Sequence, residues 1–271
     1  MGDMIVLVTT MHQSDLCKYH QMNLQTDAVI ANQTDKNEYI ETQINGCSVK
    51  LVSTDTRGLS RNRNIAMAHA SQKSKYVVFS DDDLIFNEGY ESAVKAEFEK
   101  HPDAEAIKFN LHDLSEKRKI SMRRIQSFEK ATRRNMSASG VCGLVLKTEC
   151  LKKYALYFHE NFGTGSENFC GEDTIFIMEM LAKKVRFYRS PIDIAGIDQS
   201  ESTWFYGHNE RYFCNQGTVL HEIFPVLSYL IVIRSAYKAW RRKDSGMGYF
   251  KILSCYYKGI TGNQNSKRVA R

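Results

Sequence analysis

Proline is almost missing from this chain: only Pro102, Pro191 and Pro225 occur in 271 residues. With no Gly/Ser/Pro-rich stretch separating two compositional halves, a flexible interdomain linker is not expected. The seven cysteines form no CxxC pair. Their odd number and wide spacing fit neither a disulfide framework nor a zinc ribbon, so a reducing cytoplasm is expected. Long apolar runs are lacking too. Ile223 to Ile233 is the nearest approach, eleven residues against the ~20 that a membrane-spanning helix needs. Met1 to Thr10 has no basic leader, so no signal peptide is expected. There is no internal repeat and no nucleic-acid module signature, so no nucleic-acid partner is expected.

What is present is ordinary globular composition, 42% hydrophobic, 11% aromatic and 25% charged, which excludes disordered, collagenous and coiled-coil classes. The net charge of +6 is uneven. Ten basic residues and a single acid, Asp244, lie between Arg234 and Arg271, leaving the rest slightly acidic. A basic tail of this kind suits an anionic surface.

The order of patterns predicts a doubly wound α/β sheet. Met4 to Val8, Ala28 to Ala31, Val49 to Val52 and Tyr76 to Phe79 are short apolar runs of the kind buried on both faces of a parallel sheet. Helical periodicity separates them at Ser60 to Ala70 and follows at Glu88 to Lys100, where His101-Pro102 stops it. Val141 to Leu146 and Val185 to Tyr188 read as further strands, Thr174 to Lys184 as a helix, and Lys117 to Arg134 as a solvated connection or ribbon. In such folds ligands bind beyond the carboxyl ends of the strands, so functional residues should follow strands.

Three clusters do so. Asp81-Asp82-Asp83 closes the Tyr76 strand. Adjacent carboxylates repel, which leaves two readings open: a hard divalent cation such as Mg²⁺ or Mn²⁺, or a solvated acidic turn capping the next helix. Arg57-Gly58-Leu59-Ser60-Arg61-Asn62-Arg63-Asn64 sits at a strand-to-helix junction. Glycine for close backbone approach, free N–H groups and arginine forks together suit a diphosphate, although exposed arginines around a helix cap are the plainer alternative. Phe162-Gly163-Thr164-Gly165-Ser166 leads to Gly171-Glu172-Asp173, carboxylates at a helix start that serve as cap or as general base.

Taken in order, and with Asn32-Gln33 after the second strand and Ser202-Thr203-Trp204-Phe205 further on, these motifs make the chain resemble bacterial family 2 glycosyltransferases of the GT-A fold, of the capsular and exopolysaccharide type. The resemblance spans roughly residues 4 to 220. It implies a GT-A catalytic domain at 1–220 and a helical, basic extension at 221–271. It further implies inverting transfer of a sugar from a nucleoside-diphosphate sugar, a UDP-sugar first of all, to a hydroxyl of a glycan or polyprenyl-diphosphate-linked acceptor. In that picture Asp83 is the main ligand of Mg²⁺ or Mn²⁺, with Asp81 in support, and Asp173 is the base with Glu172 positioning the loop or touching the acceptor. Thr9, Asn32, Gln33, Arg57, Gly58, Arg63, Asp81 and Asp82 line the donor site, and Trp204 and His208 the acceptor site. An Asn-Gln pair stands where many relatives have an acid, which leaves the base open.

Two competitors have discriminating features. A sugar-phosphate nucleotidyltransferase would usually carry a glycine-rich basic loop after the first strand, where Thr9-Thr10-Met11-His12-Gln13 stands instead. A catalytically silent nucleotide-sugar-binding subunit has no need of Asp81, Asp83 and Asp173 together. Arg234, Lys238, Arg241, Arg242 and Lys243, interleaved with Tyr237 and Trp240, suit either an anionic membrane face or a solvated helix. The corresponding expectation is a cytoplasmic protein lying on the inner face of the cell membrane.

Overall fold

The computed structural model describes residues 2–71, 73–114, 124–137, 139–198, 207–243 and 245–269, the side chains as far as residue 262. The order is β1 (Met4–Met11), α1 (Cys17–Gln21), β2 (Asp27–Gln33), β3 (Glu38–Ile44), β4 (Cys47–Thr54), α2 (Leu59–Ala68), β5 (Tyr76–Asp81), β6 (Leu84–Phe86), α3 (Tyr90–Lys100), β7 (Ala106–Asp113), β8 (Glu129–Lys130), β9 (Leu144–Lys147), α4 (Glu149–Lys153), α5 (Glu172–Ala182), β10 (Phe187–Ile197), α6 (Glu210–Ile223), α7 (Ser228–Arg242) and α8 (Tyr249–Val269).

Among the described residues the strands form one sheet in the order β3-β4-β2-β1-β5-β9-β7-β10-β6, with β8 paired to β10. The block β4-β2-β1-β5 is parallel throughout. Beyond it the sheet is mixed: β9 runs antiparallel to both β5 and β7, while β7 and β10 are parallel. The parallel α/β expectation therefore holds at the centre and gives way to mixed pairing on the β9 side.

Strand alternation explains the two cores. Met4, Val6 and Val8 of β1 face one layer with Val94 and Phe98 of α3, whereas Ile5 and Leu7 face another with Ala66 of α2 and Phe176, Ile177 and Met180 of α5. The sheet is thus sandwiched, and its central strand is apolar along both faces.

Five strands escape the sequence reading or differ from it clearly in extent. β3 is half polar and mostly exposed because it is an edge, hydrogen-bonded only to β4. Its turn is Asn45-Gly46, with φ of 52° and 83°, the left-handed pair that a tight hairpin demands. β6 and β7 have no counterpart among the expected strands. β10 continues past Pro191 through a register shift between Arg189 and Asp193, so it reaches Ile197 rather than ending at Tyr188. Conversely β9 starts only at Leu144, because residues 141–143 turn beneath the site. Of the expected 117–134 ribbon, the part before residue 124 lies outside the described residues, and β8 is the remainder's only strand among them.

Glu105 ties the sheet's lower edge. It is buried and accepts hydrogen bonds from Lys153 Nζ (2.5 Å), Tyr154 Oη (2.9 Å) and the Arg186 amide (3.0 Å). Burial opposes its charge, but these partners outweigh that and hold its carboxyl down at about 2. A depressed carboxyl stabilises the fold above its unfolded pKa of about 4.3 and loses that contribution as pH falls toward 2. Because Lys153 and Arg186 are half-exposed and screened, we expect about 1–2 kcal/mol. Glu105→Gln should accordingly flatten the stability profile between pH 5 and pH 2, measured by urea unfolding. A variant with the wild-type slope would contradict this.

The three last helices make a satellite core of Phe213, Val232, Ala236, Ile252, Cys255, Tyr256 and Ile260. The expected division at 220/221 falls inside α6, which packs along α8. A Cβ on Gly217 would stand 2.1 Å from the Tyr256 carbonyl oxygen, and one on Gly259 1.9 Å from that of Cys214. The obstacle is backbone, so Gly259→Ala must part the helices and should cost about 1–3 kcal/mol, seen as a lower melting temperature. An unchanged melting curve would show that the helices do not meet there.

Candidate functional site

Thr9 and Asp81 are register partners on the adjacent parallel strands β1 and β5, both at the carboxyl ends. Thr9 Oγ1 donates to Asp81 Oδ1 at 2.7 Å. Across them comes Arg63, whose position on α2 points it inward. Its Nη2 donates to both Asp81 oxygens at 3.1 and 3.2 Å, and its Nη1 donates to Asp173 Oδ1. Glu172 Oε1 lies 3.7 Å from the same Nη1. Arg63 is only 3% exposed, and its guanidinium rests 5.1 Å over the Phe158 ring. Burial disfavours its charge, yet Asp173, Asp81 and Glu172 outweigh that and raise its pKa.

One buried cation thus gathers three carboxylates from two distant segments. Asp173 is further oriented by the Val141 amide, which donates to its Oδ2 at 3.1 Å. Burial alone would raise Asp81; Arg63 and the Thr9 hydroxyl overcome it, so the carboxyl sits below its ordinary value. Glu172 goes the other way: burial and then the neighbouring Asp173 push it up to about 7. Lys108, also buried, donates to the Cys142 carbonyl behind the cluster, and burial pushes it down to about 8.

The loop at 162–166 closes on the start of α2. Leu59 N–H donates to the Thr164 carbonyl (2.9 Å), and Ser60 Oγ to that of Phe162 (2.6 Å). Gly58 stands at φ +115°, where an added Cβ would meet Ser166 Oγ at 3.0 Å, so this junction needs glycine for both its backbone and its contact. The three clusters read from the sequence therefore converge.

Individual expectations fare differently. Arg63, expected on a donor diphosphate, is spent on Asp81 and Asp173 inside the protein. Thr9 supports Asp81, and Asn32, fully buried, binds Gln13 and Ser53 rather than facing outward. Gln33 accepts from the Gly58 amide at 2.9 Å and so fixes the glycine turn. Arg57 is exposed and bonds Asp35 and the Thr34 carbonyl beside that turn. Asp82 receives the Thr10 hydroxyl, with Lys18 3.9 Å away. His208 is exposed and packs edge-on to Tyr212 at the start of α6. Trp204 and the Ser202–Phe205 motif lie outside the described residues. Sequence reasoning missed Lys108, Val141 and Cys142, whose roles come from the Lys108 ammonium on the Cys142 carbonyl and the Val141 amide on Asp173, contacts that no motif announces.

Whether a divalent cation suits the site turns on Asp83. Its Oδ1 is buried with no hydrogen-bond partner, and burial together with Asp81 and Asp82 pushes the carboxyl up to about 7. An orphaned hard oxygen at a strand end fits one carboxylate ligand of Mg²⁺ or Mn²⁺, which commonly takes one or two carboxylates and completes its shell with phosphates and water. Asp81 fits less well as the second, since Thr9 and Arg63 occupy both its oxygens. Among the described residues no three His, Cys, Asp or Glu side chains are grouped to hold a metal by themselves.

Residues 30–155 match the family model described as Glycosyl transferase family 2. The match takes in 126 of the 271 residues, just under half of the chain. The architecture is the GT-A fold. The chain superposes on S. aureus TarS 1-349 crystallised with UDP-GlcNAc with a TM-score of 0.63, 12% identity, 98% of this chain and 91% of that chain. The TarS 1-349 complex with UDP gives 0.60 and 16%, over 88% of this chain and 72% of that one. Against another TarS structure, again at a TM-score of 0.60 and 16% identity, the alignment takes in 88% of this chain but only 43% of the other. No curated protein matches the sequence. Among the described residues no helix is long and apolar enough to cross a membrane.

Proposed function

We propose that this protein transfers a sugar, with inversion, from a UDP-sugar to a hydroxyl of a glycan or lipid-linked oligosaccharide acceptor in surface polysaccharide synthesis. The observation that carries the reading is the convergence of Arg63, Asp81 and Asp173 at the carboxyl ends of β1 and β5, with Asp83 two residues beyond. The TarS relatives, crystallised with UDP and UDP-GlcNAc, support a uridine donor.

Asp173 is the base. Arg63 and the Val141 amide hold the carboxylate by one oxygen each, fixing its direction toward an acceptor hydroxyl. Glu172 is buried behind it and keeps the first turn of α5 in place. As the acceptor oxygen attacks the anomeric carbon, its proton passes to Asp173, and the bond to the departing diphosphate breaks on the opposite side. No protein nucleophile is required, and configuration inverts in the single displacement. Asp83 would hold Mg²⁺ or Mn²⁺, which supplies Lewis-acid stabilisation of the leaving diphosphate. Gly58, fixed by Gln33 and packed against the 162–166 loop, shapes the turn beside α2, with exposed Arg57 placed to meet the donor.

Titration calorimetry with nucleoside diphosphates, with and without Mn²⁺, tests this. UDP should bind with metal dependence, and Asp83→Ala should remove that dependence while leaving the melting temperature within a few degrees. Metal-dependent binding retained by the variant, or no binding of any nucleoside diphosphate, would contradict the assignment.

A further inference from the structure

α7 has an outer face that stays largely exposed among the described residues. Ser228, Val232 and Ala236 point into the satellite core, following the helical period. On the opposite side Leu230 (67% exposed), Ile233, Tyr237 (51%) and Trp240 (44%) succeed one another at spacings of three and four, forming one continuous apolar and aromatic row. Alongside runs a second row, Arg234, Lys238, Arg241 and Arg242, all exposed. The helix, SYLIVIRSAYKAWRR, contains no acid. Apolar side chains are exposed just beyond both ends: Val226 in the turn before α7, and Phe250, which packs on Tyr249, itself edge-on to Trp240. The eleven-residue apolar run of the sequence is broken at Phe224 to Leu227, so its second half becomes the beginning of this face instead of a buried helix.

The basic row borders an open groove of about 920 Å³ lined by Arg134, Leu230, Ile231, Arg234, Ser235 and Lys238. Three cations and a hydroxyl over an apolar floor, with no carboxylate in the lining, form a recess for phosphate esters that are attached to hydrocarbon.

We propose that the outer face of α7, with the Arg134 groove beside it, docks the protein on an anionic lipid bilayer. A helix with one aliphatic and aromatic row and one cationic row lies in the plane of a membrane, its apolar row among the acyl chains and its cations among the phosphates. Tyr237 and Trp240 have the mixed apolar and polar character that favours headgroup depth. A second copy of the chain is a poor occupant, since a two-fold contact would set the cationic row against itself.

The test is flotation with vesicles of equal parts phosphatidylcholine and phosphatidylglycerol, compared with phosphatidylcholine alone, at low and high salt. The protein should float with the anionic vesicles at low salt and be released by high salt. Each cation near such a surface contributes roughly a fivefold gain in partition, so Arg234→Gln/Lys238→Gln/Arg241→Gln should lower binding on the order of 100-fold. Leu230→Ser/Trp240→Ser should also lose binding with its melting temperature kept. Trp204 and Trp240 are the two tryptophans, so in a Trp204→Phe background the emission of Trp240 should shift to the blue on anionic vesicles. Wild-type protein that stays at the bottom with anionic vesicles at low salt would overturn the proposal. So would a folded glutamine variant that floats like wild type, an unmoved Trp240 emission, or a dimer dissolved by the serine variant in place of lipid binding. The vesicles carry neither donor nor acceptor, so this result is independent of the transferase reading.

Discussion

Replacing Asp173 with asparagine should lower turnover by ~10²–10⁴ while UDP binding stays within a few-fold of wild type, because a positioned base contributes about that much to proton transfer. The substitution preserves shape but not function. An asparagine oxygen still accepts from Arg63, whereas its amide would turn a donor toward the Val141 N–H, which now donates to Asp173 Oδ2 at 3.1 Å. Some loss of stability therefore accompanies the loss of rate, and a melting curve recorded beside the kinetics separates the two. Because Glu172 sits next to Asp173 with a carboxyl raised to about 7, Glu172→Gln is the necessary comparison. A positioning role predicts a smaller loss than Asp173→Asn. If the Asp173 variant transfers at near-normal rate, the base lies elsewhere.

The second large effect is on stability. Arg63→Met removes the one cation that Asp81, Glu172 and Asp173 share, in a place where its side chain is 4% exposed and water has little access to replace it. Breaking a buried pair by deleting one partner typically costs about 3–5 kcal/mol, since the remaining charge is left without compensation. Urea unfolding should show a loss of about that size, with transfer abolished. Arg63→Lys keeps the charge but cannot reach two carboxylates with one planar fork, so it should recover part of the stability and little of the rate. Wild-type stability in Arg63→Met would mean that Arg63 does not hold the three carboxylates together.

Much of this arrangement is legible in the sequence, for physical reasons that differ by element. β1, β2, β4 and β5 are apolar on both faces because helices cover both sides of the sheet, and continuous apolar runs reveal that directly. The placing of Asp81 to Asp83 after a strand and of Glu172-Asp173 at a helix start is likewise readable, because both depend on local chain order. β3 escapes because an edge strand needs no apolar face, although Asn45-Gly46 between Ile44 and Cys47 carries a usable hairpin signal. β10 reads as ending at Tyr188 because a proline inside a strand argues against continuation, and a bulge accommodates it in the fold.

Within the site, the convergence of clusters is legible and the detailed division of labour is not. Arginine in the first turns of a helix suggests a phosphate clamp by composition alone. Whether its fork instead closes on carboxylates depends on how α2 packs against α5, a contact across more than a hundred residues. The same holds for Asn32 and Gln33, which look like ligands in a motif but serve to fix Gln13, Ser53 and the Gly58 turn.

The most direct measurement is the configuration of the sugar at its first appearance in product, followed by proton NMR with the donor that calorimetry selects. An acceptor hydroxyl deprotonated by Asp173 and attacking opposite the departing diphosphate predicts an anomeric configuration opposite to that of the donor from the earliest spectrum. Product that first appears with the donor's own configuration would contradict the single displacement, and with it Asp173 as the base.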